Sequence, residues 1–287
     1  MSMSMSNKSI IFLDIDGTLV NTSANPEFIP ESAIKAVTQA RQNGCQIYLC
    51  TGRSKAEIYD FITEVGFDGV IGAAGGFIEV QGKEIFHETI DPGTAAAVAK
   101  YFDDHKIDFY LESNTGLYAS RNLIPHLEWI MYGDVEHDPA AMAKKKEGSH
   151  FINALTVTSQ MPMEDINKIC FLETNGSRYQ DIYDTFHDKF YMVRCTVPLF
   201  GDESGEMSVP GINKSTSIRI LLDYLKADIA DTYAIGDGMN DAEMLDCVNT
   251  GIAMGNAKEG LKKIADYITT DLMDDGIYNA FRHFGLI

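Results

Sequence analysis

Two aspartates, Asp14 and Asp16, follow a short apolar run in the stretch IIFLDIDGTLV at residues 10–20, with Gly17 and Thr18 directly after them. Carboxylates at the end of a buried strand are costly to remove from water unless a metal ion or a basic group compensates them. Of such a pair, one carboxylate is free to attack an electrophile. The other can protonate a leaving oxygen and later deprotonate water.

Polar residues also stand at the ends of two further predicted strands and at the start of one predicted helix. They are Thr51, Gly52 and Arg53 after CQIYLC, Asp237, Asn240 and Asp241 in GDGMND, and Lys214 in GINKS. In open α/β sheets, ligands bind beyond the carboxyl ends of the strands, so we expect these residues to converge. With Asp14 and Asp16 they would bring together up to four carboxylates and one lysine.

This set of groups suits a divalent cation and a phosphoryl group. Mg²⁺ prefers oxygen ligands and usually takes one or two carboxylates together with a substrate phosphate. Thr51 and Lys214 can hold phosphoryl oxygens, and Lys214 can spread the negative charge of the transition state. Each motif alone also fits a turn, a helix cap or a solvated lysine. Their common placement at strand ends and a helix start favours the chemical interpretation.

Strands alternate with helices near both ends of the chain, which predicts an α/β core with a doubly wound parallel sheet covered on both faces. The predicted N-terminal strands are SIIFLD, CQIYLCTG and a third strand that runs into a Gly-rich turn in GVIGAAGGFIEV. The predicted helices are PESAIKAVTQARQNG and SKAEIYDFITEVG, the second with a capping box of Ser54 and Glu57. Near the C-terminus, the helices KSTSIRILLDYLKAD, DAEMLDCV and AKEGLKKIA alternate with the strands TYAIGD, TGIAMG and DYITT.

The pattern changes between about residues 84 and 203. Half-exposed strands such as IDFYLESNTGLYAS and KICFLETNGS appear, with the helices PGTAAAVAKYFDDHK and RYQDIYDTFHD between them and an exposed loop expected at KKKEGSH, residues 144–150. This pattern predicts an inserted α+β domain. We therefore divide the chain into a core of residues 1–84 and 205–287 and an insertion of residues 85–204.

The composition limits the partners of this protein. A formal net charge of -19 over 287 residues argues against a general nucleic-acid or anionic-membrane binder, because those need a basic face. Five scattered cysteines predict no disulfide framework. The start MSMSMSNKS is expected to be a loose tail rather than a leader, so we expect a cytoplasmic protein. We expect a monomer, with a homodimer as the alternative.

Taken together, FLDIDGTLV, TGR, GINKS and GDGMNDAEML followed by GIAMGNA resemble the four signature motifs of the haloacid dehalogenase superfamily of phosphatases. The segment IADYITTDLMDDGIYNAF resembles the Cof-type branch, whose members carry a class IIB cap. The resemblance implies a Rossmann-like core of the haloacid dehalogenase type and an α+β cap, inserted between the second and third motifs, that closes over the site and selects substrates.

The resemblance also implies a role for each matching residue. Asp14 would be the nucleophile that forms an aspartyl-phosphate, and Asp16 would be the acid and base whose backbone carbonyl also meets Mg²⁺. The phosphate-binding residues would be Thr51, Gly52, Lys214 and Asn240. The metal-binding residues would be Asp14, Asp16, Asp237 and Asp241, with Asp237 a direct ligand and Asp241 acting either directly or through a neighbouring group.

Two positions depart from the family pattern. The family commonly has Asn-Gly after the third strand, where this chain has GAAGG with Ala74, so leaving-group contacts inferred from the family are not carried over there. The glycine that follows the family's lysine is Ser215 here, and serine starts helices well. No residue of the insertion is assigned to the site.

The resulting prediction is a Mg²⁺-dependent phosphatase that hydrolyses a small phosphorylated metabolite, with sugar phosphates as the leading class. One alternative is a phosphomutase, which would return the phosphoryl group to the substrate. Another is a non-catalytic sugar-phosphate-binding protein, for which Asp16 would have no chemical use. A phosphonatase or a dehalogenase is a further alternative, but dehalogenation needs no Mg²⁺ and leaves Asp237 and Asp241 unexplained.

Overall fold

The computed structural model describes residues 9–195 and 197–287, so the expected N-terminal tail lies outside the described residues except for Ser9. The strands are β1 (Ile10–Leu13), β2 (Gln46–Cys50), β3 (Gly69–Gly72), β4 (Phe77–Val80), β5 (Lys83–His87), β6 (Phe109–Ser113), β7 (Leu117–Ala119), β8 (Leu155–Val157), β9 (Ile166–Phe171), β10 (Tyr191–Arg194), β11 (Gly205–Ser208), β12 (Thr232–Gly236), β13 (Thr250–Ala253) and β14 (Tyr267–Ile268). The helices are α1 (Glu31–Gln42), α2 (Asp60–Thr63), α3 (Pro92–His105), α4 (Leu123–Tyr132), α5 (Pro139–Glu147), α6 (His150–Ala154), α7 (Tyr179–Phe186), α8 (Lys214–Leu225), α9 (Ala242–Cys247), α10 (Glu259–Lys262) and α11 (Gly276–His283). Among the described residues, no helix is both long enough and apolar enough to cross a membrane.

The chain forms two compact units. The first comprises the chain up to Gly52, Asp60–His87 and Ile212–Ile287, and the second comprises Arg53–Tyr59 and Glu88–Gly211. The expected boundary after residue 84 cuts through β5, which pairs with β4 in the first unit. The expected boundary after residue 204 leaves β11 with the core, whereas β11 pairs with β9 and β10 in the second unit. Apart from the segment Arg53–Tyr59, which was expected in the core, the units divide after His87 and after Gly211.

The first unit is built on an eight-stranded sheet with the order β14-β13-β12-β1-β2-β3-β4-β5. The six strands from β14 to β3 run parallel, and helices connect them along the chain. All four residues of β1 are buried, as expected for a central strand covered on both faces. The predicted α/β class is confirmed, but β4 and β5 run antiparallel, so the sheet is mixed rather than wholly parallel.

One predicted strand and turn of the first 80 residues is found, and one predicted helix is interrupted. At GVIGAAGGFIEV the predicted strand is β3, and it runs into the predicted turn, in which Ala73, Ala74 and Gly75 all have positive φ; a further strand, β4, follows the turn. The helix predicted over 54–66 is broken into a 3₁₀ turn at Lys55–Glu57 and the short α2, because Ile58 leaves the helical conformation at φ -91° and ψ 88°.

The second unit is built on a six-stranded sheet with the order β10-β11-β9-β6-β7-β8, antiparallel except for β7 and β8. Its strands place apolar residues on both faces. One group includes Phe109, Ile169 and Phe171 and packs with α3 and α7. The other includes Tyr110 and Cys170 and packs with α4 and α6. This mixture of a mainly antiparallel sheet and helices is the predicted α+β pattern.

The prediction of an exposed loop at residues 144–150 is wrong for most of that segment, because residues 144–147 are exposed but helical and only Gly148 and Ser149 lie between two helices. Lys144, Lys145 and Lys146 form the last turn of α5, whose N-cap Asp138 accepts a hydrogen bond from the Ala140 amide at 2.8 Å. Basic residues in a last turn complement the negative end of the helix dipole. The run of lysines is therefore consistent with a helix end, although its charge alone also fits an exposed loop.

Candidate active site

Three neighbouring parallel strands of the first unit, β12, β1 and β2, end at the same edge of the sheet. Leu13, the last residue of β1, lies beside Ile235 of β12 and Leu49 of β2. Asp14 follows β1, and its amide donates a hydrogen bond of 3.0 Å to the Ile235 carbonyl. Since the chain leaves β1 toward β2 on one side while β12 lies on the other, this edge is the topological switch point at which ligands bind in such sheets.

Three aspartates converge at this edge. One carboxylate oxygen from each of Asp14, Asp237 and Asp241 lies within 4.8 Å of the others. Asp14 and Asp241 are buried, and Asp237 is partly buried. The side chain of Asp16 is exposed and lies outside this group. The expected metal contact of Asp16 goes through its backbone carbonyl and stays a prediction.

Lys214, the first residue of α8, joins two of these carboxylates. Its Nζ donates to Oδ1 of Asp14 at 2.7 Å and to Oδ1 of Asp241 at 2.5 Å. The side chains of all three residues are almost inaccessible to solvent, with 3% of Lys214, 6% of Asp14 and 0% of Asp241 exposed. Buried charges persist when they are paired in this way. The lysine therefore compensates part of the negative charge of the cluster.

The electrostatic balance of the cluster remains negative. Burial raises the pKa of Asp14 well above its ordinary value, and the Asp241 charge adds to this effect while Lys214 opposes it. Burial and then the Asp241 charge raise the pKa of Asp237 to about 6. Burial lowers the pKa of Lys214, but the two carboxylates outweigh burial and raise it above its usual range. Fully ionised, three carboxylates and one ammonium leave two negative charges, which one divalent cation would neutralise.

Asp241 is fixed from the backbone side. Its Oδ2 accepts hydrogen bonds of 3.0 Å from the amides of Asp237 and Gly238. Gly236 makes this closeness possible, because a Cβ there would lie 2.5 Å from Cγ of Asp241. Gly17 is restricted similarly: its φ is +80°, and a Cβ would lie 2.5 Å from Oδ2 of Asp237. Both glycines let the backbone pass directly beside the carboxylates.

Two residues without a role predicted from the sequence also support the site. The Thr18 hydroxyl donates to Oδ1 of Asp237 at 3.0 Å. The Asn256 side-chain amide donates to the Gly17 carbonyl at 2.9 Å, and its Oδ1 accepts a hydrogen bond of 2.8 Å from the Leu272 amide. Thr18 lies in the signature motif DIDGTLV and Asn256 lies in the signature motif GIAMGNA. Their positions in these motifs are the sequence feature that could have indicated a functional role.

The remaining predicted phosphate-binding residues are placed as follows. Thr51 directly follows β2 and is buried, with its amide bonded to the Ile71 carbonyl at 2.9 Å. Gly52 is partly buried, and a Cβ there would meet no atom within 4 Å, so the backbone is open at this point. Asn240 is exposed on the 3₁₀ turn Met239–Asp241. Their contacts with a phosphate stay predictions.

The three carboxylates fit a hard divalent cation. Each provides an oxygen ligand, the type that Mg²⁺ prefers, and their excess negative charge favours a cation over a neutral ligand. Mg²⁺ keeps several waters and commonly shares its site with a phosphate. The donor set therefore suits a cation that also meets a phosphorylated ligand.

Residues 11–281 match the family model of the haloacid dehalogenase-like hydrolases. The chain belongs to the haloacid dehalogenase-like hydrolase family. The match spans both segments that carry the site as well as the second unit, and it confirms the resemblance drawn from the motifs.

Individual relatives are similar to this protein over most or almost all of the chain. The chain is 29% identical over 283 residues to YkrA of Bacillus subtilis (strain 168), covering 98% of this chain and 99% of YkrA. It is 25% identical over 253 residues to the HMP-PP phosphatase of Cronobacter sakazakii (strain ATCC BAA-894), covering 85% and 83% of the two chains. The structure of the subclass IIB sugar phosphatase BT4131 superimposes with a TM-score of 0.74 at 25% identity and covers 98% of this chain and 100% of that chain. Together, the family and these relatives confirm the predicted class, a phosphatase of the haloacid dehalogenase type.

Proposed function

We propose that this protein is a Mg²⁺-dependent phosphatase that hydrolyses small phosphorylated metabolites through an aspartyl-phosphate intermediate. The observation that carries the proposal is the cluster of Asp14, Asp237 and Asp241 at the switch point of the sheet, two of whose carboxylates contact Lys214. This cluster would combine a carboxylate nucleophile, the fixed ammonium group of Lys214 and a set of metal ligands within one site.

In the first step, a carboxylate oxygen of Asp14 forms a bond to phosphorus while the bond from phosphorus to the leaving oxygen breaks. Asp16 donates a proton to that oxygen, and the alcohol departs. In the second step, Asp16 takes a proton from water as the water oxygen attacks the same phosphorus. The bond to Asp14 breaks, inorganic phosphate is released, and both aspartates return to their initial states.

The other residues of the cluster hold charge in place. The Lys214 ammonium, already in contact with Asp14, is positioned to stabilise negative charge on the transferring phosphoryl oxygens. Thr51, Gly52 and Asn240 are proposed to bind those oxygens. Asp14, Asp237, Asp241 and the backbone carbonyl of Asp16 would hold Mg²⁺. When bound, the ion would neutralise negative charge on the carboxylates and on the phosphate, so that the Asp14 carboxylate and the substrate phosphate can approach each other.

The substrate class is argued from the relatives and from the predicted cap. One related structure is that of a sugar phosphatase, and one relative is an HMP-PP phosphatase. The names of both proteins specify small phosphorylated molecules as substrates. We propose sugar phosphates as the leading class and the second unit as the substrate-selecting cap. All five cysteines are free thiols, which is consistent with the proposed cytoplasmic location.

The test is phosphate release from p-nitrophenyl phosphate and a panel of phosphorylated metabolites, measured with Mg²⁺ and with EDTA. We expect EDTA to remove activity and Mg²⁺ to restore it, because Lys214 alone compensates only part of the negative charge of the carboxylate cluster. Activity that persists in EDTA would refute the role of the metal.

The matched variant is Asp14→Asn, which keeps the size of the side chain and removes the nucleophilic carboxylate. We expect it to fold and to release no phosphate. A rate near that of the wild type would overturn the assignment of Asp14. If the folded wild type released no phosphate from any compound, the phosphatase proposal would fail in favour of a phosphomutase or a binding protein.

A further inference from the structure

The turn between β3 and β4 has an unusual backbone. Ala73, Ala74 and Gly75 have φ angles of 50°, 54° and 110°, which places three successive residues in the left-handed region. Residues with a Cβ rarely adopt this conformation, because the Cβ approaches the following carbonyl. Two alanines here indicate that surrounding contacts hold the turn in place.

Those contacts reach the two parts of the chain that carry the phosphate-binding residues. On one side, the Ala74 amide donates a hydrogen bond of 2.9 Å to the carbonyl of Thr51. On the other side, the buried hydroxyl of Ser217, on the first turn of α8, donates to the Gly75 carbonyl at 2.6 Å. The turn therefore connects the end of β2 with the start of α8.

The start of α8 also lies directly on the turn. A Cβ at Gly75 would be 2.4 Å from the Asn213 carbonyl oxygen and 2.9 Å from Oγ of Ser217, so the backbones are in close contact. Asn213 is the N-cap of α8, and its side chain accepts a hydrogen bond of 2.8 Å from the Thr216 amide. The two contacts with the turn thus lie on either side of Lys214 in the chain.

We propose that the turn Ala73–Gly75 and the Ser217 hydroxyl position Lys214 relative to Thr51, which makes Ser217 a positioning residue for phosphoryl transfer. Lys214 reaches Asp14 and Asp241 through a long flexible side chain, so its ammonium is well placed only if its backbone is fixed. The capping interactions of α8 fix the helix start internally, and the turn fixes that start to the strand that delivers Thr51. This inference rests on the proposed function of Lys214 and Thr51.

The experiment compares Ser217→Ala with Thr269→Val. Both remove a buried hydroxyl that donates to a backbone carbonyl in the first unit, at 2.6 Å to Gly75 and at 2.7 Å to Gly276. The two changes should lower the thermal midpoint similarly, while only the first loosens the support of Lys214. We expect Ser217→Ala to lower kcat about tenfold and to raise KM several-fold, because a displaced Lys214 holds the phosphoryl group less well in the bound substrate and in the transition state.

Thr269→Val should retain the kcat of the wild type. If Ser217→Ala also retained it and lost only thermal stability, the hydroxyl would be purely structural and the inference would be overturned.

Binding of inorganic phosphate, followed by calorimetry, tests the positioning without turnover. We expect Ser217→Ala to bind phosphate several-fold more weakly than the wild type and Thr269→Val to bind it equally well. Unchanged affinity in Ser217→Ala would count against the inference. Because this measurement needs no hydrolysis, it separates a failure of the positioning role from a failure of the phosphatase proposal.

Discussion

Replacing Lys214 by methionine should destabilise the protein in a pH-dependent way. Methionine has a similar volume but no charge, so Lys214→Met leaves the buried carboxylates of Asp14 and Asp241 without the ammonium that contacts both of them. Removing one partner of a buried ion pair typically costs about 3–5 kcal/mol, because the remaining charge stays away from water.

Protonation sets an upper limit to this cost. Instead of remaining ionised and unpaired, one carboxylate can take up a proton in the folded state. At about 1.36 kcal/mol per pKa unit, and from the ordinary carboxyl pKa of 3.8, protonation costs about 4 kcal/mol at pH 7 and about 1.6 kcal/mol at pH 5. A carboxyl whose folded pKa is raised favours the folded state below its unfolded pKa and loses that advantage as the pH rises. The penalty of Lys214→Met should therefore shrink as the pH falls.

The measurement is urea denaturation followed by circular dichroism at pH 7 and pH 5, in EDTA so that no cation replaces the lysine. Lys83→Met is the control, since Lys83 is an exposed lysine on β5 of the same unit. We expect a loss of about 3–4 kcal/mol for Lys214→Met at pH 7, less than half of that at pH 5, and almost no change for Lys83→Met. An equal penalty at the two pH values, or one no greater than that of Lys83→Met, would refute the reasoning.

Two further predictions concern the turn and the second unit. Ala74→Gly should raise the free energy of unfolding by about 0.5–1 kcal/mol. The strain of a left-handed alanine, about 1–2 kcal/mol, is removed, and this exceeds the entropy cost of glycine, roughly 0.5–1 kcal/mol. A lower urea midpoint for Ala74→Gly would contradict the prediction. Burial, followed by the Glu112 charge, raises the pKa of Glu57 well above its usual value, so protonated Glu57 stabilises the fold at low pH and this stabilisation is lost as the pH rises above about 4.5. Glu57→Gln stays neutral, so its urea midpoint should rise relative to that of the wild type between pH 5 and pH 8. Glu88→Gln, at an exposed position, should show no such change. A difference between Glu57→Gln and the wild type that stays constant with pH would contradict this prediction.

The sequence by itself determined the enzyme class and the fold class. A phosphoryl-transfer site was indicated by polar residues at strand ends and at a helix start, because the strand ends of a parallel sheet meet at one edge. These residues are Asp14 and Asp16 after one apolar run, Asp237 and Asp241 after another, and Lys214 at the start of a helix. The alternation of strands and helices at both ends of the chain, and its change in the middle, indicated an α/β core with an inserted α+β unit. These features are local in the sequence and therefore readable from it.

Some elements could not be read from local patterns. The helix predicted over 54–66 is divided, and Arg53–Tyr59 belongs to the second unit, where the Ser54 hydroxyl donates to Glu112 at 2.9 Å. The positive φ angles of Ala73 and Ala74 contradict what alanine prefers by itself. In both places, contacts with residues distant in the chain outweigh the local preference.

Only the tertiary structure decided how the site residues are arranged. The sequence placed Asp237 and Asp241 together in one motif, but it did not show that Lys214 bridges Asp14 and Asp241 or that the Asp16 side chain lies outside the carboxylate group. Lys214 and Asp14 are 200 positions apart in the chain. The physical reason is that contacts between distant segments depend on which strands become neighbours in the sheet, and strand order is a property of the packed core rather than of any one motif.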